Sequence, residues 1–371
     1  MLTYKRKLKL NKAQEMRVSS WIGACRVVYN MGLYIRTESY RIAQKSVSKF
    51  DLMKQLTQIK DVDWISDVPA QSLQNAIERL DASYKNFFRT CHSGGGFPKY
   101  ASKRFYKSII FKDIRKIDNH KITQPKLGSI PIIKASEIIG IPKQETIIKE
   151  PTAYYIDYVC DGISKTIQNP DESQVCGIDM GVSYFVADSS GNFINNPKHF
   201  KRHEDRLRIE SRSLSRKKKG SNRWKKQAKV VGMLHHRISN VRKDFLHKQS
   251  TAMSKKYHTV YVEDLKIKNM VKNKHLSKHI LDCGWGMFRA MLKYKTNVVL
   301  VNPKYTSQTC NECGSVDSVS RVSQSKFCCT KCGHESNADI NAAKNIMSKG
   351  IALNRKREAI ACALVEEPHI I

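Results

Sequence analysis

No apolar run in the 371 residues approaches the roughly 20 that a bilayer-spanning helix requires. The basic stretch from Met1 to Leu10 lacks the apolar core of a secretion signal, so the expectation is a protein neither exported nor inserted. No internal repeat is found. Acidic residues are scarce: 33 Asp and Glu face 66 Lys and Arg, a formal charge of +33 spread along nearly the whole chain. Such a surface attracts polyphosphate and releases counterions when it binds, so nucleic acid is the expected partner and a purely structural RNA-binding protein is one rival. The eleven cysteines do not form a disulfide framework. Four have metal-ligand spacing, Cys328 adjoins one of them, and Cys25, Cys91, Cys160, Cys176, Cys283 and Cys362 are scattered, as suits a reducing, intracellular setting.

The length allows two or three domains. Alternation over residues 2–10 predicts a short half-buried strand. Trp21, Cys25, Val28, Gly32 and Ile35 then recur with helical spacing, and a second helix opens at Pro69 with Leu73, Ile77, Leu80, Tyr84 and Phe87. The turn-rich run from Ser93 to Tyr100 ends this helical segment. Short β-branched and aromatic runs follow, at Ser108–Phe111, Ile130–Ile133, Thr146–Lys149 and Tyr154–Val159, and suggest a small barrel that the first strand completes. Residues 175–195 read as a hairpin turning at Ser189–Asn192. Residues 201–256 read as two helices broken at Gly220-Ser221, with seventeen Lys and Arg against four acids over 201–248, a phosphate-tracking ridge. A strand at 258–265, a helix near 284–295, a strand at 297–301 and a helix over about 337–348 complete the pattern; the segment after Gly350 is weakly periodic.

Two local signals carry chemistry. Cys310-x-x-Cys313 and Cys329-x-x-Cys332, fifteen residues apart, let four thiolates converge on one Zn²⁺ in a closed structural site, although Cys328 leaves open which sulfur binds. Asp179 in a strand, Glu263 at the end of a strand and Asp339 at the start of a helix form the second. Phosphodiester hydrolysis calls for two divalent ions about 3.5–4 Å apart, held by oxygen ligands. Taken singly, each acid has a structural explanation: Asp179 capping a turn before Gly181, Asp264 being the more important half of its pair, Asp339 serving as an N3 acid under a Ser336 cap. Taken together they favour catalysis, with Asp264 secondary because alternation turns it away from Glu263. A strand, strand, helix trio of acids on a hairpin followed by further αβ elements is the RNase H arrangement.

Gly177-Ile-Asp-Met-Gly181, Val262-Glu-Asp-Leu265, Gly284-Trp-Gly-Met-Phe288, Tyr305-Thr-Ser-Gln-Thr-Cys310-Asn-Glu-Cys-Gly314 and Ala338-Asp-Ile-Asn-Ala-Ala-Lys-Asn345 together resemble the TnpB family of bacterial and archaeal insertion sequences. These are RuvC-like, RNA-guided DNA nucleases related to type V CRISPR effectors. The resemblance covers almost the whole chain, since Gly96-Phe97-Pro98 also fits. It implies an α/β multidomain protein: a wedge-like β-barrel from 1–10 and 101–168, a helical recognition segment at 11–100, an RNase H-like (RuvC) nuclease domain from 169–305 and 334–350, an inserted zinc ribbon at 306–333, and a tail at 351–371. Asp179, Glu263 and Asp339 become the catalytic triad, holding two Mg²⁺ or Mn²⁺ ions, and Cys310, Cys313, Cys329 and Cys332 the zinc ligands. The implied partners are a guide RNA from the element end, a double-stranded DNA target beside a short flanking motif, and a transposase of the same element as a functional link; the implied location is a prokaryotic, nucleoid-associated cytoplasm. Relatives carry a longer stretch where this chain passes from Lys295 to Asn297, which bears on the placing of Glu263 against Asp339. The rival functions are a nuclease-impaired RNA-guided DNA-binding repressor, an RNase H-fold transposase, whose acids usually run Asp, Asp, Glu, and a zinc-ribbon factor that leaves the acids idle.

Overall fold

Alternating residues build β1 (Leu2–Leu8), and Asn11 then starts α1 (Lys12–Ala43) through a reciprocal cap. The Asn11 side chain accepts the Gln14 amide, and the Gln14 side chain accepts the Asn11 amide. The computed structural model describes residues 2–59, 62–112, 118, 120–133, 138, 140–161 and 171–365. It divides into two units, Met1–Lys165 and Thr166–Ile371.

In the first unit α1 is followed by α2 (Lys49–Gln58), the single turn α3 (Asp63–Ser66) and α4 (Ala70–Thr90), which Pro69 opens. Trp21, Cys25 and Val28 of α1 and Leu73, Ile77 and Leu80 of α4 share one core, as their spacing requires. Full burial of a side chain such as Leu80 is worth about 2 kcal/mol. Five strands follow: β2 (Ser108–Phe111), β3 (Lys121–Gln124), β4 (Gly128–Ile133), β5 (Ile141–Lys149) and β6 (Tyr154–Asp161). With β1 they form an antiparallel sheet in the order β2-β5-β6-β1-β4-β3. Gln124 of β3 donates to the Glu145 carboxylate of β5 although β6, β1 and β4 lie between those strands, and both side chains are buried. The sheet therefore curls until β3, at one end, reaches β5, one strand in from the other end.

The second unit opens with a meander of β7 (Val175–Asp179), β8 (Tyr184–Asp188) and β9 (Phe193–Asn195). Asp188 closes the turn between β8 and β9, accepting the amides of Ser190 and Asn192, the Asn192 side chain and the Tyr257 hydroxyl. After α5 (Glu204–Ser215) and α6 (Asn222–Lys256), β10 (Thr259–Glu263) adds parallel to β7. Then come α7 (Ile267–Met270), α8 (Lys274–Cys283), α9 (Trp285–Lys293), and β11 (Asn297–Val301), which adds parallel to β10. The sheet order is β11-β10-β7-β8-β9. A small hairpin of β12 (Lys326–Cys328) and β13 (Glu335–Asn337) leads into α10 (Ala338–Val365).

α10 lies hard against the sheet because two positions have no Cβ. A Cβ on Gly177 of β7 would stand 2.2 Å from the Ala343 carbonyl oxygen, and one on Gly350 of α10 would stand 2.0 Å from the Tyr261 ring of β10. Ile346 completes that contact with Tyr261, Val299 and Val301. The helix expected over about 337–348 thus continues to Val365, so residues 351–365, read as a tail, are helical. Ile351 and Leu353 pack with Tyr261, Val299 and Val301, which accounts for the first turn of the extension. The expected boundary near 168 and residues 366–371 lie outside the described residues. Among the described residues no helix is long and apolar enough to cross a membrane.

Candidate metal and nucleic-acid site

Asp179 and Glu263 end adjacent parallel strands. Val262 pairs with Ile178, so each apolar run delivers one carboxylate at the same edge of the sheet. β10 pairs with β11 along its full length, from Thr259 with Asn297 to Glu263 with Val301, despite the short link from α9. That link is fastened by the Lys295 ammonium, which donates to the His247 carbonyl and the Ser250 and Thr251 hydroxyls. Asp339 joins from α10, which Gly177 admits onto β7. Its helix is capped by Asn337, whose side chain accepts the Asp339 amide at 2.9 Å. The cap expected at Ser336 is therefore one residue later, and Asp339 sits at N2.

Asp179 feels the other two acids. Burial, then Glu263, then Asp339 push the Asp179 carboxyl up to about 7, against Arg321 and the Met180 amide. Burial also raises Glu263, opposed by the Thr306 hydroxyl and Lys349, and raises Asp339, opposed by Arg321. A carboxyl raised as Asp179 is, with two more acids bearing on it, is short of positive charge, and a divalent cation with oxygen ligands fits that need. Asp264 behaves as alternation predicted. It leaves the cluster and accepts a hydrogen bond from Arg289 at 2.8 Å.

Sequence reasoning missed the residues that surround these acids. Arg321, between the two cysteine pairs, stands 3.5 Å from the Asp339 carboxylate. Thr306 donates to Glu263, and Lys349 donates to the Lys304 carbonyl beside it. Two signals were visible: Thr306 lies in the Tyr305–Gly314 motif, and the asparagines lie in the Ala338–Asn345 motif. Asn341 and Asn345 are buried and bind the carbonyls of Thr306 and Thr309, fastening the start of the cysteine segment to α10.

The sulfurs of Cys310, Cys313, Cys329 and Cys332 all lie within 4.8 Å of one another. Cys310 to Cys332 is 3.7 Å and Cys313 to Cys329 is 3.6 Å, close to the ~3.8 Å edge of a tetrahedron with Zn–S bonds of about 2.3 Å. Each pair is wound alike. The amides of Gly314 and Gly333 return to the carbonyls of Cys310 and Cys329, and both glycines adopt a positive φ, of 72° and 73°. The amide of Cys332, ahead of other donors, lowers the Cys329 thiol, while against the His334 amide the neighbouring sulfurs raise the Cys332 thiol, so the sulfurs hold their protons as a set that a metal would displace. Cys328 is outside the group. It ends β12 opposite Glu335, which settles which sulfur belongs to the set.

Away from the acids, the α5–α6 hairpin exposes its cations; of the Lys and Arg between 201 and 248 only Lys217 and Arg242 are partly buried. In the first unit a cavity of about 560 Å³ is lined by Arg26, Lys103, Lys107 and Lys149, with Glu150 as its carboxylate, itself paired with Lys5.

Three family models match the chain. Residues 157–274, which hold Asp179 and Glu263, match OrfB_IS605, described as "Probable transposase"; residues 285–346, which hold the cysteines and Asp339, match the Cas12f1-like TNB domain. Residues 1–45 match a "Helix-turn-helix domain" of the same OrfB_IS605 group, where the structure has β1 and the single helix α1. "Putative RNA-guided DNA endonuclease InsQ" of Escherichia coli K12 is 33% identical over 375 residues, 94% of this chain and 92% of its own length. A "Putative RNA-guided DNA endonuclease" of Streptomyces pristinaespiralis is 30% identical, covering 91% of this chain and 87% of its own. The solved structure of the mini-RNA-guided endonuclease CRISPR-Cas_phi3 aligns with 94% of this chain and 92% of its own at a TM-score of 0.49 and 11% identity. On the identity and coverage of the first two relatives, the chain belongs to the TnpB family.

Proposed function

We propose that the chain is the RNA-guided DNA endonuclease of an insertion sequence, cutting guide-matched DNA beside a short flanking motif by metal-dependent phosphodiester hydrolysis. The observation that carries this reading is that Asp179 and Glu263 end paired strands and that Glu263 and Asp339 both push the buried Asp179 carboxyl upward. The names of the relatives point to the same chemistry.

Under this reading the second unit is an RNase H-like nuclease domain, supported by a sheet of three antiparallel strands extended by two parallel ones. Asp179, Glu263 and Asp339 hold two Mg²⁺ or Mn²⁺ ions, which when bound would activate a water and stabilise the leaving oxygen. Arg321 offsets charge at Asp339 and stands where a scissile phosphate would gain from a cation. The four cysteines hold a structural Zn²⁺ that keeps their loop, and Arg321 with it, in place. The curled sheet of the first unit serves as the wedge-like barrel and α1–α4 as the recognition segment. A guide RNA and the DNA it pairs with are the partners, bound chiefly through their backbones by the cations of α5, α6 and the first-unit cavity. A nucleoid-associated cytoplasmic location and a functional link to a transposase of the same element complete the proposal.

Sequencing the RNA that copurifies with the protein tests it. A discrete guide derived from the element end, together with Mg²⁺-dependent cutting of a plasmid matching that guide, is expected. Recovery of no discrete RNA, or integration of element ends by the protein alone, contradicts it.

A further inference from the structure

The Glu263 carboxylate is gripped by a hydroxyl whose own backbone is bolted to α10. Thr306, 2% exposed, donates its hydroxyl to Glu263 Oε1. That hydroxyl also lies 2.9 Å from the Pro303 carbonyl, but it has one proton, and the ionised carboxylate is the stronger acceptor. The Thr306 carbonyl accepts Asn345 Nδ2 at 3.0 Å, and the same nitrogen reaches the Thr309 carbonyl at 2.6 Å. Asn341 binds the other side of Cys310: its Nδ2 donates to the Thr309 carbonyl at 2.8 Å and its Oδ1 accepts the Asn311 amide at 3.0 Å. Both asparagines are buried, so every one of these bonds is made where an unmade one would be costly.

A local capping role could satisfy Thr306 through Pro303 alone. The bond to Glu263 instead crosses from the cysteine segment to the end of β10, 43 residues away in sequence. It occupies Oε1, and Oε2 makes no hydrogen bond among the described residues. A carboxylate fixed through one oxygen with the other available is the arrangement that outer-shell partners give to metal ligands.

We infer that Thr306 is a positioning residue: its hydroxyl sets the orientation in which Glu263 binds a divalent cation, and Asn345 sets the position of Thr306. The same bolt ties the Cys310 turn to the helix that carries Asp339. The inference rests on reading Glu263 as a ligand of such a cation.

The test is Mn²⁺ binding to the full-length, zinc-loaded protein, followed by the electron paramagnetic resonance of free Mn²⁺. Thr306→Val keeps the shape of the side chain and removes the hydroxyl; Thr306→Ser keeps the hydroxyl. Val should weaken Mn²⁺ binding by about tenfold or more and raise by a similar factor the Mn²⁺ needed for half-maximal cleavage, while Ser stays within about threefold of the parent. Zinc content of both variants should match the parent, and both should stay fully folded at the assay temperature with the Val midpoint only slightly lowered, which separates positioning from a folding defect. Glu263→Gln is measured alongside. Loss of Mn²⁺ binding in Glu263→Gln with parental binding in Thr306→Val overturns the role of Thr306 alone. Parental binding in Glu263→Gln overturns the carboxylate reading itself, and the inference falls with it.

Discussion

Gly177 of β7 faces the Ala343 carbonyl of α10 so closely that a Cβ would stand 2.2 Å from that oxygen and 2.6 Å from the Met347 nitrogen. Both are backbone atoms, so neither can swing aside. Gly177→Ala should cost the second unit about 3 kcal/mol, the upper range for overpacking, and move Asp339 away from Asp179. A thermal midpoint and cleavage rate equal to the parent's would show that α10 does not seat on this glycine.

Cys329→Ser removes one corner of the sulfur tetrahedron. The variant should lose stoichiometric zinc, unfold at lower temperature and cleave poorly, because Arg321 and the Thr306 segment are carried by that loop. Zinc analysis beside a cleavage assay checks it; full zinc and full activity would remove the bracing role.

Glu145 makes an ordinary pH experiment informative. Burial pushes its carboxyl up to about 7, against the Gln124 bond, compared with about 4.3 in an unfolded chain. The folded state therefore binds the proton more tightly. Its stabilising share is complete below about pH 4, fades as pH rises toward 7, and is gone above that. Glu145→Gln should flatten this slope and at pH 8 exceed the parent in stability by on the order of 2 kcal/mol, read from thermal unfolding across pH. A slope unchanged by the substitution would contradict it.

Metal binding should also follow pH. With Asp179 raised to about 7 in the metal-free chain, a cation must displace a proton below that pH. Apparent Mn²⁺ affinity should fall about tenfold for each unit well below pH 7 and level off above about pH 8. Titrations at several pH values read this directly, and a flat profile would mean that Asp179 is not in the metal's path.

The sequence exposed those features whose cause is local. Asp179 and Glu263 each close an apolar strand, and the two cysteine pairs have a spacing that only a turn and a metal explain well. The rest depends on contacts distant along the chain. β3 went unread because its inward residues are Ile122 and the polar Gln124, whose partner Glu145 is found only after the sheet curls. The single turn α7 is too short to show a period, α8 leaves Leu276 and Leu281 exposed and among its described residues buries only Ile280 and Cys283, and α10 runs past its reading where Ile351 and Leu353 pack with Tyr261 and Val299. Asn337 and Ser336 are both good caps, and sequence alone does not choose between them. Arg321 and Lys349 carry no motif of their own, and Thr306 lies in the Tyr305–Gly314 motif without a role it announces; their meaning comes from what they touch.

Cleavage by the guide-loaded Asp179→Ala protein decides whether the three carboxylates are catalytic. That protein should retain guide RNA, bind the matched DNA and make no cut at any Mg²⁺ concentration that supports the parent. Cutting at the parental rate by that variant would contradict the assignment of Asp179, Glu263 and Asp339 as the catalytic carboxylates.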